Sequence, residues 1–491
     1  MTTAPETLAD APVFESVEPA TGKVVATFPK QTEDDVRAAV ARARAAATWW
    51  RDLGWEGRRV RLDRWKGLLA RRTPELAALV HRENGKPLAD AQLEITLAVD
   101  HIAWSAKNAP KTLGPRKVPS GLMMANQEAW LEYQPLGVVG VIGPWNYPVF
   151  TPMGSIAYAL AAGNAVVFKP SEHTPAIGKW LVDAFAEVVP EQPVMQLLTG
   201  LGDTGAALCR AGVDKIAFTG SAPTGRKVMA ACAETLTPVL MELGGKDAMI
   251  VDEDADVEAA ATGALWGGMS NAGQTCIGIE RVYVHEKVYD SFVQKLTEKA
   301  RKVTAGESYG PITMPGQVDV IRRHIADALS KGGRALTGGT IEGNVVQPTV
   351  LVDVPEDSLA VREETFGPTL TVTRVRDADE AVRLSNDTTY GLAGAVFSKD
   401  HGMDIAKRLD SGMTSINQVI AFAGIPSLPF GGKGDSGFGR IHGEDGLKEF
   451  TRAKSITRQK YALPVPLLSF DRSKRVDALL GRTVRFLHGR S

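Results

Sequence analysis

From Gly137 onward, short apolar runs alternate with helix-length stretches, and this rhythm limits the fold more than any other feature of the chain. GVVGVIGP (137–144) is followed by a helical pattern from Thr151 to Ala162, then AVVFKP (165–170) and a second helical pattern from Pro175 to Val189. KIAFTG (215–220) precedes a third helix, Thr224 to Glu234, and AMIVDEDAD (248–256) opens another set. Strands alternating with helices predict an α/β fold: a parallel sheet covered on both faces. The stretch from Tyr133 to Phe168 carries no charge and has the length of a membrane span. Pro135, Pro144, Pro148 and Pro152 punctuate it, and Asn146 and Asn164 lie within it, so it reads as a buried strand-turn-helix-strand unit.

The rest of the chain agrees with a large soluble protein. Its 491 residues are 44% hydrophobic and 23% charged, which suits two to four domains. A net charge of −1 offers no basic field for nucleic acid. Three cysteines, an odd number, suit a reducing compartment. The N-terminus has Glu6 and Asp10 and no apolar run, unlike a secretory signal, so a cytoplasmic location is expected. Thr32 to Trp49 reads as a helix that Thr32 and Asp35 can cap, with further helical pattern at 58–82 and 88–106. The segment 115–136 differs: Gly114 and Gly121 precede an alternating run, Glu128 to Tyr133, that suggests a β-excursion.

Ligands of such a sheet gather at the carboxyl ends of its strands. There, PWNYP (144–148) holds Asn146 between prolines, either as an oxyanion donor or as a turn residue. KPSE (169–172) offers Lys169 and Glu172 to a ribose, or simply forms a salt-bridged loop. FTGSAPTG (218–225) turns tightly at Gly220 into a helix beginning at Ser221, whose N–H groups would face an anion. It is neither GxGxxG nor a Walker A loop, because Arg226 and Lys227 stand where Lys and Ser/Thr are required. MELGGKDA (241–248) sets Glu242 in an apolar, glycine-rich context suited to a raised pKa and general-base work, although a lone Glu is more often solvated. AGQTCIGIE (272–280) contains Cys276, a nucleophile or a small buried hydrophobe. Cys209 and Cys232, in helical contexts, read as packing residues, and no Cys/His cluster suggests a metal site.

Taken in order, PWNYP, KPSE, FTGS, MELGGK, GQTC, EETFGP (363–368) and PFGGKGDSGFGR (429–440) resemble the aldehyde dehydrogenase superfamily across residues 20–458. The resemblance implies that Cys276 attacks an aldehyde to form a thiohemiacetal, with Asn146 and the Cys276 N–H as oxyanion hole. Hydride loss would leave a thioester, and Glu242 would activate the water that hydrolyses it. It places Lys169 and Glu172 at the adenosine ribose, Gly220, Ser221 and Thr224 by the pyrophosphate, Glu364 at the nicotinamide ribose and Phe366 beside its ring. Trp145, Ser171, Gly202 and Phe218 join the cofactor set. Glu172 would repel a 2′-phosphate, which favours NAD, with NADP possible. Lys246 is not assigned to catalysis.

CoA-acylating relatives lack the base that Glu242 supplies, so the free acid is the expected product. Ile277 and the small Gly154 are tunnel positions that should leave room for an apolar aliphatic or aromatic aldehyde. The alternatives are a succinate-semialdehyde-type dehydrogenase and a non-catalytic protein of the same fold. The implied architecture is an NAD(P)-binding domain (1–116 and 136–243), a catalytic domain (244–435), a bridging element (117–135 and 436–460, with a strand near 450–460) and a tail (461–491). A homodimer or homotetramer is expected. In the tail, Val476, Leu479, Leu480, Val484 and Leu487 follow helical spacing beside basic residues. That pattern suits either packing on a subunit or weak contact with an acidic membrane surface.

Overall fold

The computed structural model describes residues 12–463 and 469–489. Glu6 and Asp10 therefore lie outside the described residues, as do tail positions 464–468 and 490–491. The described residues form two compact units, one within 1–112 and 135–451, the other within 113–134 and 452–491.

In the first unit, the helix Glu33–Asp52 starts at a reciprocal cap: the Thr32 hydroxyl accepts from Asp35 N–H, and the Asp35 carboxylate accepts from Thr32 N–H. Val36, Val40, Ala43, Ala47 and Trp50 form its buried stripe. The helical pattern expected over 58–82 is two helices, Gly54–Arg71 and Thr73–Asn84, because Pro74 starts a new first turn. A long helix, Leu88–Leu113, follows.

The uncharged stretch resolves into the strand Val138–Ile142, the helix Phe150–Ala162 and the strand Ala165–Lys169. Both strands are buried along their length, as expected for a parallel sheet covered on both faces. Six strands make this first sheet, in the order 437–438, 239–242, 215–219, 138–142, 165–169, 195–197. All neighbours run parallel except Gly437–Phe438, which pairs antiparallel with Met241 and Glu242. Residues 436–451, read above as bridging, thus sit in the first unit, held there by this edge pairing.

A second sheet of seven strands has the order 334–337, 349–352, 369–375, 279–285, 247–251, 393–397, 413–416. Only its first pair is antiparallel. Phe292, Leu296, Ile321, Leu370 and Phe397 are among the residues of its main apolar core.

In the second unit, Arg116–Val118 pairs antiparallel with Gln127–Pro135, which is the middle strand of a three-stranded sheet completed by Thr451–Gln459. The β-excursion is therefore present. The helix Lys474–His488 ends the described chain, with none of its side chains fully buried. Among the described residues, no helix is long and apolar enough to cross a membrane.

Candidate active site

Two concavities of the first unit adjoin at Thr219, Leu243 and Cys276. A cleft of about 970 Å³ runs along the carboxyl ends of the first sheet, and a narrower tunnel of about 100 Å³ opens beside it. Cys276 lines both.

Cys276 lies in a turn closed by Gly278 N–H donating to Thr275 O (2.9 Å). Just before it, Asn271, Ala272 and Gly273 adopt left-handed conformations, with φ of 52°, 56° and 69°. Strain of this kind persists only where surrounding contacts enforce it. Here they do: the Asn271 amide donates to Asn146 O (3.0 Å), and Gln274 Oε1 accepts from Thr313 N–H (2.8 Å). Burial together with Glu242, Glu364 and Asp247 pushes the Cys276 thiol pKa up, and the Ile277 N–H opposes that shift.

Asn146 is 5% exposed. Its side-chain amide donates one hydrogen to Gln274 O (3.0 Å), and an amide nitrogen has a second to give into the cleft that Asn146 lines. Its backbone carbonyl accepts from Lys86 Nζ (2.9 Å), and Lys86 is paired with Glu94, both side chains fully buried. Glu94 in turn accepts from the N–H groups of Val149 (2.7 Å) and Phe150 (3.1 Å). A buried ion pair therefore holds the PWNYP loop from beneath.

Glu242 ends the strand Val239–Glu242 and lines the tunnel. It is no solvated surface group, being 3% exposed with both carboxylate oxygens lacking a protein partner. Burial raises its pKa well above the usual carboxylate range, and Arg440 opposes that shift. A carboxyl group so placed has free lone pairs for water and a raised affinity for a proton.

The adjoining glycines are required by contact. A Cβ on Gly244 would come within 2.1 Å of the Glu364 carboxylate, and one on Gly245 within 2.6 Å of Cys276 O. Glu364 accepts from Gly245 N–H (2.9 Å), and burial and Glu280 push its pKa up to about 8. The EETFGP loop is held by Glu280, the last residue of AGQTCIGIE, whose role no local pattern signals. Glu280 accepts from the N–H groups of Thr365 (2.9 Å) and Phe366 (2.9 Å) and pairs with the buried Lys246. Lys246 is thereby occupied in structure. Phe366, at φ 50°, stands edge-on to Trp145 with ring centroids 5.5 Å apart.

The other residues that the resemblance assigns to the cofactor also border the cleft: Lys169, Ser171, Glu172, Gly202, Phe218, Gly220, Ser221 and Thr224. Ser221 caps the helix Ala222–Ala233 by accepting from Thr224 N–H (3.4 Å). Lys169 is 3% exposed; its ammonium donates to Pro170 O (3.2 Å) and stands 4.0 Å from Glu172. A buried cation so thinly partnered, beside a helix N-terminus and the bare backbone of Gly202, suits a ligand rich in hydroxyl and phosphate oxygens. The structure adds His173, Lys227, Leu243 and Gln317 to the lining. Leu243 lies within MELGGKDA and Lys227 just after FTGSAPTG, but only tertiary placement shows that these side chains border the cleft.

Two readings change. The room expected at Gly154 is filled: a Cβ there would lie 2.7 Å from His442 Nε2 and 2.8 Å from Ile441 Cδ1. The missing side chain accommodates the 441–442 turn, where His442 has φ 62°. Cys209 and Cys232 are buried as expected, but Cys209 also touches the cleft.

Comparison with known proteins accounts for this arrangement. The sequence profile of the aldehyde dehydrogenase family matches residues 7–456. The chain is 38% identical over 457 residues to a 4,4′-diapolycopene aldehyde oxidase of Methylomonas sp, covering 91% of this chain and 86% of that protein. It is 36% identical to a glutarate-semialdehyde dehydrogenase of Pseudomonas putida, covering 89% and 92%. Among solved structures, an NAD-dependent aldehyde dehydrogenase from Sinorhizobium meliloti superposes with a TM-score of 0.89 at 33% identity, covering 95% of each chain. An NADP-dependent enzyme from Escherichia coli gives 0.87 at 34% identity, covering 91% of this chain and 95% of that one. A profile match over nearly the full length, joined to this fold, leaves one assignment: the chain belongs to the aldehyde dehydrogenase family and is an enzyme of that class.

Proposed function

We propose that the protein oxidises an apolar aldehyde to its carboxylic acid with NAD, accepting NADP less well. The observation that carries this reading is the position of Cys276 on the wall of both the large cleft and the narrower, largely apolar tunnel. The Cys276 thiolate attacks the aldehyde carbon, and the oxygen becomes an alkoxide. The second amide hydrogen of Asn146 and the Cys276 N–H stabilise that charge. A nicotinamide dinucleotide, when bound, supplies the hydride acceptor. The thioester left on Cys276 is cleaved by water, from which Glu242 takes the proton. Lys169, Ser171 and Glu172 hold the adenosine end, with Trp145, Gly202 and Phe218 beside it. Gly220, Ser221 and Thr224 form the pyrophosphate cradle, and Glu364 with Phe366 orients the nicotinamide end.

The tunnel supports the apolar substrate. Leu93, Leu97, Phe150, Trp266, Ile277, Ile420 and Phe430 line it. Its one cation among the described residues is Lys86, committed to Glu94, and Asp90 adds a carboxylate. A semialdehyde's carboxylate would meet no available positive partner, and burying it unpaired is costly. Turnover of unbranched and aromatic aldehydes against succinate and glutarate semialdehydes tests this. A higher kcat/KM for either semialdehyde would overturn the apolar reading.

The same reading divides the labour as an NAD(P)-binding part (1–116 and 136–243), a catalytic part (244–435) and a bridging part centred on 117–135 and 452–460. The edge strand Thr451–Gln459, exposed along most of its length, supports strand addition to a second copy in a homodimer or homotetramer. The three free cysteines suit a cytoplasmic setting.

A further inference from the structure

The helix Lys474–His488 takes no part in the chemistry above, yet its face is strongly patterned. At about 100° per residue, Phe486, Leu479, Val476, Leu487, Leu480 and Val484 share an arc about 160° wide. Val476 and Leu480 are half-buried. Phe486 is 76% exposed, Leu479 54% and Val484 52%. Arg475, Leu479, Arg482 and Phe486 follow i, i+4, i+7, i+11 spacing, so two open apolar side chains alternate with two arginines along one edge. Residues 469–489 carry five basic and two acidic side chains, +3, in a chain of −1, which leaves −4 for the rest. Within the segment Arg472 pairs with Asp477 (2.8 Å), so Lys474, Arg475, Arg482 and Arg485 dominate the helix surface.

We propose that this helix docks on an anionic lipid bilayer, with Phe486 and Leu479 entering the headgroup boundary and Arg475 and Arg482 on lipid phosphates. Charge complementarity chooses the bilayer over a second copy of the chain. Fifteen residues span only about 22 Å, and one face of such a helix offers a few hundred Å². That face alone is short of the roughly 800 Å² a stable protein interface takes from each partner, so it would not hold a second copy without a further interface. Burying Arg475 and Arg482 against protein would also demand acidic partners in register, whereas lipid phosphates are mobile and reach both. The helix lies on the surface rather than spanning it, since no described helix can cross a membrane. Docking would bring the enzyme to the phase where apolar aldehydes partition; that link alone rests on the substrate reading above.

The test is co-sedimentation of the full-length protein with phosphatidylcholine vesicles, with and without phosphatidylglycerol, and with no aldehyde present. Binding should be on the order of 10-fold or more tighter with phosphatidylglycerol and should weaken as salt rises. The Leu479→Asp/Phe486→Asp and Arg475→Glu/Arg482→Glu variants should lose it while oxidising a short soluble aldehyde at the parent rate. Absence of sedimentation, equal binding to neutral vesicles, or a smaller oligomer in the variants without vesicle binding would each overturn the proposal. Because the vesicle assay involves no turnover, its failure is distinct from failure of the substrate assignment.

Discussion

Burial pushes Glu242 and Cys276 away from the charged forms their proposed roles require. Burial favours the neutral form of each, and each acts only after losing its proton. The rate should therefore rise with pH across the neutral and mildly alkaline range, as steady-state pH profiles would show. A flat profile would mean that bound cofactor and substrate reset both groups. Glu242→Gln should retain a pre-steady-state burst of reduced nicotinamide and lose turnover by about 10²–10⁴-fold, because only the hydrolytic step needs the base. Loss of the burst as well would assign Glu242 to acylation. On the proposed reading the Glu172 carboxylate repels a 2′-phosphate, so Glu172→Gln should raise the ratio of NADP to NAD efficiency by roughly 10-fold, about 1.4 kcal/mol. An unchanged ratio would shift that discrimination to another residue.

Loops and their supports make the site possible. Gly245 is glycine because the carbonyl of Cys276 occupies the space where a side chain would begin. Gly245→Ala should displace the nucleophile turn and lower kcat by about 10²-fold, with cofactor affinity less affected, since misplacement near 1 Å is enough for such a loss. The Lys86–Glu94 pair fixes Asn146 from the far side. Lys86→Met leaves Glu94 buried without its cation and should cost about 3–5 kcal/mol of stability, readable by denaturant unfolding. Much of this was legible from residue order: the strands, their following turns and the capping pair Thr32–Asp35 all follow local rules. The Lys86 and Glu280 supports were not legible. Lys86 acts on a loop 60 residues away, and Glu280 on one 85 residues away. No periodicity or spacing encodes such contacts.

Across the chain, the cleft and the tunnel adjoin at Thr219, Leu243 and Cys276. If the tunnel is apolar in function as in lining, kcat/KM should increase with chain length over the first several carbons of an aldehyde series, each CH₂ contributing up to about 0.8 kcal/mol. A plateau from the first member would mean that the tunnel does not hold the substrate. The order of the motifs was enough to place the chain in its family and to nominate the residues around Cys276, because strand ends and glycine-rich turns are set by local propensity and close approach. Tertiary packing decided the rest. It put Glu242 in the tunnel with both oxygens unpartnered, gave the space beside Gly154 to His442, and left the C-terminal helix with an open apolar edge. Burial and free volume depend on segments far apart in the chain, and a local pattern carries no information about which distant side chain fills a given space.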